Sequence, residues 1–284
     1  MTILIFGKTG QVATELARLA PDAVFLGRDQ ADLSDPKACV QAIRDYAPDA
    51  VINAAAWTAV DKAEDHEDAA RVINGDTPAA LARECAARDI AFVHISTDYV
   101  FAGDGTDPWA NTDPVSPQNA YGRTKLAGEN GVRAAQGRFG ILRTSWVFSA
   151  HGANFVKTML RLSETRDALT IVGDQIGGPT PAGDIAKACL RMVEVLKTRL
   201  EAAGTYHFSG APDVSWADFA RETFTLSGRA VSVTDIATVD YPTPASRPLN
   251  SRLDCTETET VFGISRPDWR AGLADVLTDL GALK

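Results

Sequence analysis

Positive charge is scarce in this chain of 284 residues: 28 Lys and Arg stand against 37 Asp and Glu, a net charge of -9. No basic stripe interrupts the deficit, which excludes a nucleic-acid-binding face. Histidine and cysteine are sparse as well, four of each. His66, His94, His151 and His207 do not cluster, and Cys39, Cys85, Cys189 and Cys255 stand nowhere at ligand spacing, so no metal site made by this chain alone is expected. So few cysteines in so long a chain predict buried free thiols in a reducing cytoplasm, not a bridge framework. Met1 to Gly7 has no basic start, and its apolar run stops too soon for a signal peptide. No apolar run reaches membrane-spanning length. Repeats, low-complexity runs and flexible linkers are missing too. What remains is 45% hydrophobic and 23% charged, a globular profile with enough chain for a large core.

Ile3 to Phe6 is a continuous apolar run that ends at Gly7 and reads as a strand buried on both faces. Gly7-Lys8-Thr9-Gly10-Gln11-Val12-Ala13 then leads into a helical stretch through Leu19. Strand, glycine turn and helix form the context of a dinucleotide fingerprint, whose glycines admit a pyrophosphate to the helix N-terminus. Ala13 takes the usual third glycine's place and is small enough for close packing. A second strand, Ala23 to Leu26, ends in Gly27-Arg28-Asp29, where such folds meet the adenosine ribose. Arg28 suits a 2′-phosphate and an acid suits a free 2′-hydroxyl, so the pair leaves NADPH and NADH both open, with a lean to NADPH. Asp35 and Pro36 set up the next helix as N-cap and first residue. Asp49 to Ala56 is a third strand that ends in small residues, leaving room for a flat cofactor. Helical patterning runs from His66 to Arg88, and Ile90 to Ile95 is a fourth buried strand.

That fourth strand delivers Ser96-Thr97-Asp98-Tyr99 at its carboxyl end, where open α/β sheets place their chemistry. A hydroxyl at Ser96 or Thr97 could bond a substrate carbonyl. A loop from Gly103 to Asn119 leads to Tyr121-Gly122-Arg123-Thr124-Lys125. Tyr and Lys four apart share a helix face. A fixed ammonium beside a phenol favours phenolate and draws its pKa down, so the pair could donate a proton to a carbonyl being reduced. Phe139 to Arg143 is a fifth strand, and the alternation predicts an α/β fold: a Rossmann-type doubly wound parallel sheet. Residues 1–147 are expected to form the dinucleotide-binding domain. Residues 148–284 are expected to form a smaller mixed substrate-binding region packed over it, with parts returning to the sheet.

Together these motifs are specific. The chain resembles the extended short-chain dehydrogenase/reductases, and within them the dTDP-4-dehydrorhamnose reductases. The likeness is carried by Gly7 to Val12, Val51 to Glu64, Ser96 to Phe101, Tyr121 to Glu129, Arg143 to Val147 and Arg247 to Leu253. The resemblance implies NAD(P)H-dependent reduction of the C4 ketone of dTDP-4-dehydro-L-rhamnose, in nucleotide-sugar synthesis for cell-surface polysaccharide. It implies Tyr121 as acid, Lys125 as its partner and ribose contact, and Thr97 as the hydroxyl at the substrate. Asp98 and Trp146 match sugar-binding positions. Gly10, Gln11, Val12, Asp32, Leu33, Ala56, Trp57 and Thr58 match cofactor contacts. The partner implied is a dTDP-sugar, and the chain is expected to be a monomer or homodimer. Some relatives dimerise through metal-binding acids; Gly183 stands where one such acid would be, which argues against that mode here. Two other readings share the superfamily: an epimerase or dehydratase, which returns its hydride to the substrate, and a non-catalytic NADP-binding subunit resembling that of methionine adenosyltransferase. Net oxidation of added NADPH separates the first reading from both.

Overall fold

Ile3–Phe6 and Ala50–Asn53 are buried at every position, as strands covered on both faces must be. In the computed structural model, which describes residues 1–284, they are β1 and β3 of a six-stranded sheet. The others are β2 (Val24–Leu26), β4 (Ala91–Thr97), β5 (Phe139–Thr144) and β6 (Gly204–His207). The spatial order is β6-β5-β4-β3-β1-β2, and every pairing is parallel. The five strands expected from apolar runs are thus all present and parallel. The sixth comes from the second half of the chain and pairs with β5.

Helices cover both faces, because buried strands need an apolar partner on each side. On one face Val12 and Leu16 of α1 (Gln11–Leu19) join Ile185, Cys189 and Met192 of α5 (Ala182–Thr198) over Ile5, Ile52 and Val93. On the other, α2 (Pro36–Tyr46), α3 (Thr77–Ala87) and α4 (Ala120–Ala134) pack Ile43, Leu81 and Val132 over Leu4, Val51 and Phe92. Asp35 caps α2 as expected, accepting from the amides of Lys37 and Ala38 at 3.1 Å. The stretch from His66 to Arg88 is not one helix. A wider turn, Val72–Asp76, interrupts it just before α3.

The second half adds a smaller core. Helices Phe155–Leu162, Trp216–Leu226 and Trp269–Asp279 gather Phe148, Phe219, Trp269 and Leu273. Beside it Ala168–Val172 pairs in parallel with Ser232–Ile236. Ser232–Ile236 escapes pattern reading because none of its residues is fully buried. The helix Thr256–Phe262 escapes it because only Thr258 and Phe262 are buried. No helix is long and apolar enough to cross a membrane.

The two layers meet at a buried ion pair. Glu129 of α4 is 0% exposed and Arg143 of β5 is 2% exposed. The guanidinium donates to both carboxylate oxygens, at 2.9 and 2.7 Å. Ser96 of β4 donates to the same carboxylate at 2.6 Å and Arg133 at 3.1 Å. Burial alone would raise the Glu129 carboxyl; Arg143, Ser96 and Arg133 outweigh it and hold it below the usual range. Removing one member of such a pair strands the other charge in the interior. Glu129→Ala should therefore cost about 3–5 kcal/mol of unfolding free energy, read by urea denaturation. A loss below about 1 kcal/mol, the worth of a surface pair, would show that Arg143 finds water instead.

Candidate active site

Strand order reverses between β1 and β3, and ligands of open sheets bind at the carboxyl side of that crevice. Gly7 leaves β1 there with φ +111°, and a side chain on it would press on the Ala54 backbone at 3.3 Å. Both demands select glycine. Lys8, Thr9 and Gly10 follow on the surface, and α1 begins at Gln11 with no side-chain cap. The first amides of α1 therefore lack partners within the helix. In front of Gly10 the space is open: the nearest atom a Cβ would meet is the Ala54 carbonyl oxygen, at 3.9 Å. A glycine-lined cradle with free amides at a helix N-terminus fits a pyrophosphate. Val12 and Ala13 are buried in the core, Ala13 completely. The Gln11 side chain turns away from the turn, accepting from Ser149 and Asn154 at 2.9 Å each. Gln11 and Val12 thus offer the cradle their backbone.

Arg28 lies exposed after β2, in a turn closed on the Gly27 carbonyl by the amides of Gln30 and Ala31. The alkyl chain of Lys8 lies over Gly27, so a second cation flanks the same corner. Asp32 accepts from the Ser34 amide at 2.9 Å, which, with the charge of Arg28, holds its carboxyl below the usual range. Leu33 turns its side chain into the core, and its carbonyl accepts from the Thr77 hydroxyl at 2.6 Å. After β3, Ala56 and Trp57 are partly exposed and Thr58 is exposed. Asn74, buried in the wide turn, clasps this segment. Its oxygen accepts from the Trp57 amide at 2.8 Å, and its nitrogen donates to the Trp57 carbonyl and to Thr124 at 3.1 Å. Wide helical turns recur at functional sites. An asparagine followed by glycine inside a helical pattern is the trace this one leaves in the sequence.

Thr97, Tyr121 and Lys125 come together where β4 meets α4. Asn119 caps α4, accepting from the Gly122 amide at 2.8 Å, and Gly122 sits so close to the Tyr99 carbonyl that a Cβ would collide with it. That contact brings Tyr121 edge-on to Tyr99, with ring centroids 5.5 Å apart. Thr97 donates to Asp98 at 3.0 Å and accepts from the Tyr99 amide at 3.2 Å. Ser96, the alternative hydroxyl, is committed to Glu129. Lys125 donates to the Ile95 carbonyl at 2.6 Å, and its Nζ lies 3.3 Å from His94 Nε2.

The electrostatics correct the reading of the Tyr-x-x-x-Lys spacing. Burial pushes the Tyr121 phenol up to about 12, with the Thr97 hydroxyl acting against it, and pushes Lys125 down to about 8. The lysine does not draw the tyrosine down here. Its Nζ is held by β4, and desolvation penalises the charged form of each group. Asp98 is likewise pushed up, to about 6, and one of its oxygens has no hydrogen-bond partner.

Trp146 is brought to the same region from the strand end after β5. It holds φ +50°, rare for a bulky residue, and its indole stacks on Trp216 at 3.6 Å. Gly177 has no Cβ between Trp146 and Ser251, and Ser251 lies close enough to Asp98 to act on its charge. The hydroxyls of Ser251 and Thr144 are buried and, like Asp98 Oδ2, unpartnered. Buried polar atoms without partners mark places where a ligand can supply them. Sequence reasoning missed Trp216 and Ser251, which meet Trp146 and Asp98 only through tertiary contact.

A family model described as the RmlD substrate binding domain matches residues 1–282. A dTDP-4-dehydrorhamnose reductase of Sinorhizobium fredii is 44% identical over 95% of this chain and 94% of its own. The crystal structure of a dTDP-4-dehydrorhamnose reductase from Clostridium acetobutylicum superposes with TM-score 0.92 at 37% identity, covering 99% of this chain and all of its own. One from Bacillus anthracis, in complex with NADP, superposes with TM-score 0.90 at 32% identity, covering 98% of this chain and 99% of its own.

The open space before Gly10 yields a test. Gly10→Val should still fold, since a Cβ there meets only the Ala54 carbonyl oxygen at 3.9 Å, at a cost of about 1 kcal/mol for valine at the N-cap of α1. It should weaken nicotinamide dinucleotide binding by at least roughly tenfold, about 1.4 kcal/mol, measured by calorimetric titration. Unchanged affinity would remove the cradle from the cofactor site.

Proposed function

The chain belongs to the RmlD substrate binding domain family, and from that premise we infer that it reduces the C4 ketone of dTDP-4-dehydro-L-rhamnose to dTDP-L-rhamnose, with NADPH as reductant. The observation that carries the reading is the meeting of Thr97, Tyr121 and Lys125 at one strand end, beside an open glycine cradle. The first half, residues 1–147, holds the nucleotide cofactor, and residues 148–284 supply the sugar side.

The glycine turn and the α1 amides bind the pyrophosphate. Arg28 and Lys8 face the adenosine ribose, and two cations there suit a 2′-phosphate. Ala56 and Trp57, clasped by Asn74, and Thr58 line the path toward the nicotinamide, where Lys125 holds the ribose. When bound, the cofactor supplies a hydride for the ketone carbon.

Tyr121 supplies the proton that the ketone oxygen then needs. Its raised pKa keeps the phenol protonated at neutral pH, so the proton is present when charge develops on that oxygen. Thr97, whose hydroxyl donates to Asp98 in this structure, would turn that donor to the ketone oxygen and orient it. Lys125, its Nζ held by the Ile95 carbonyl, contributes in its ammonium form by holding the ribose and not by lowering the phenol. Asp98, Ser251 and Trp146 face the sugar ring.

Tyr121→Phe keeps the ring and loses the acid. It should lower kcat at least about a hundredfold, the scale of general acid catalysis, while cofactor affinity stays near wild type. The assay is loss of reduced cofactor with dTDP-4-dehydro-L-rhamnose as substrate. Near wild-type turnover would place the proton source elsewhere, and no net NADPH oxidation by the wild-type protein would favour an epimerase or a regulatory subunit. Arg28→Ala should lower the NADPH-to-NADH ratio of kcat/KM on the order of tenfold, a charge-assisted contact being worth about 1.5–3 kcal/mol. An unchanged ratio would remove Arg28 from the 2′-phosphate.

A further inference from the structure

Beneath the site, three buried side chains stand in file: Asn53 at the end of β3, His94 in β4 and Lys125 on α4. Asn53 Nδ2 lies 3.1 Å from His94 Nδ1, and His94 Nε2 lies 3.3 Å from Lys125 Nζ. The direction of each bond follows from the far end. The Ala55 amide can only donate, and it meets Asn53 Oδ1 at 3.3 Å. The NH2 end of that side chain therefore faces His94, whose Nδ1 must accept. A neutral imidazole that accepts at Nδ1 carries its proton on Nε2. Burial, and then the charge of Lys125, hold His94 well below its ordinary pKa, so the ring stays neutral. The Nε2–H consequently points at Lys125 Nζ. An ammonium has three donors and no acceptor, so the pair would set donor against donor, whereas an amine lone pair would accept.

We propose that His94 is a positioning residue: held as the Nε2–H tautomer by Asn53, it favours the amine over the ammonium form of Lys125 and makes that lysine titrate within the working pH range. The inference rests on the reading of Lys125 as part of the active site. The other groups facing the pair can be named. Glu129, one turn further along α4, favours the ammonium through its charge. Asn53 on β3, the Ile95 carbonyl and the Phe92 ring, stacked on His94 at 6.3 Å, are uncharged. Asp98 acts on Tyr121. Burial already moves Lys125 down, and a histidine N–H facing the Nζ would act in the same direction.

Nitrogen-15 spectra of the imidazole rings in the wild-type protein read the tautomer directly, with His94 assigned by its loss in His94→Gln. Protonated Nε2 and bare Nδ1 are expected. A proton on Nδ1 overturns the proposal whatever the kinetics show. The second readout is the titration of Lys125, followed through its labelled Cε and assigned with Lys125→Met, and through the alkaline limb of kcat/KM. Activity that needs the ammonium is present below the lysine pKa and lost as pH rises through it. His94→Leu removes the donor and should move that limb up by about one pH unit, 1.36 kcal/mol. Should His94→Leu fail to fold, His94→Phe serves: it fills the space, removes the donor and adds no charge, so it should raise the lysine pKa likewise. If the Lys125 titration stays put in every folded variant among His94→Leu and His94→Phe, the proposal fails. A wild-type protein that never oxidises NADPH would instead sink the functional reading, and the tautomer and Lys125 titration would still be measured.

Discussion

The ion pair between Glu129 and Arg143 is the constraint on which the site depends. It is bidentate, buried, and shared with Ser96 and Arg133. Arg143 also stacks its guanidinium over Phe101, 4.9 Å from the ring centroid, and reaches toward His207 of β6. One carboxylate thus registers α4 against β4, β5 and β6 together. Glu129 is one helical turn from Lys125 and two from Tyr121, while Ser96 adjoins Thr97. Fixing this pair sets the roll of α4 and hence the direction in which Tyr121 and Lys125 point. Such a pair gives little net stability against apolar packing, but its geometry is strict. Groups proposed for catalysis, as Tyr121 and Lys125 are here, need that strictness more than they need stability.

Desolvation is the largest cause acting on each charge of the site. It raises Tyr121 and Asp98 and lowers Lys125 and His94, each toward its neutral form. The result is a set of groups close to neutral among themselves, on which any charge developing during reaction would be felt strongly. Lys125 and Asp98, at about 8 and about 6, are brought nearer to neutral pH than free lysine and aspartate. Perturbations of this kind cluster where proton chemistry is done.

The second half of the chain contributes by closing the opposite wall. Trp146 adopts left-handed backbone geometry, which its Cβ disfavours, and two contacts hold it there: the Thr180 amide donates to its carbonyl at 3.1 Å, and Trp216 covers its ring. Strain of this kind persists where surrounding structure over-determines a residue. Trp216 is in turn fixed by Gln175, which accepts from its indole at 3.1 Å. Further along, Arg247 pairs with Asp61 at 2.8 Å and Asn119 donates to the Ser246 carbonyl at 2.8 Å, so the irregular stretch near Pro248 is strapped to the helix that carries Tyr121.

Much of this was legible in local pattern. Runs such as Ile3 to Phe6 and Ile90 to Ile95 name buried strands because a chain covered on both faces has no use for alternation. The glycine turn before Gln11, the Asp35 cap and the single-face spacing of Tyr121 and Lys125 are likewise statements about neighbours within a turn or two. Other features depend on which distant residue arrives alongside. That β6 would lie against β5, that Asn74 would clasp Trp57, and that Ser251 would come to Asp98 are long-range pairings with no local trace strong enough to name them. The same holds for charge. Sequence spacing set Lys125 one turn from Tyr121. Only the packed structure decided that its Nζ would be held by Ile95 and His94 and that burial would govern both pKa values, because desolvation depends on every neighbour and spacing reports only one.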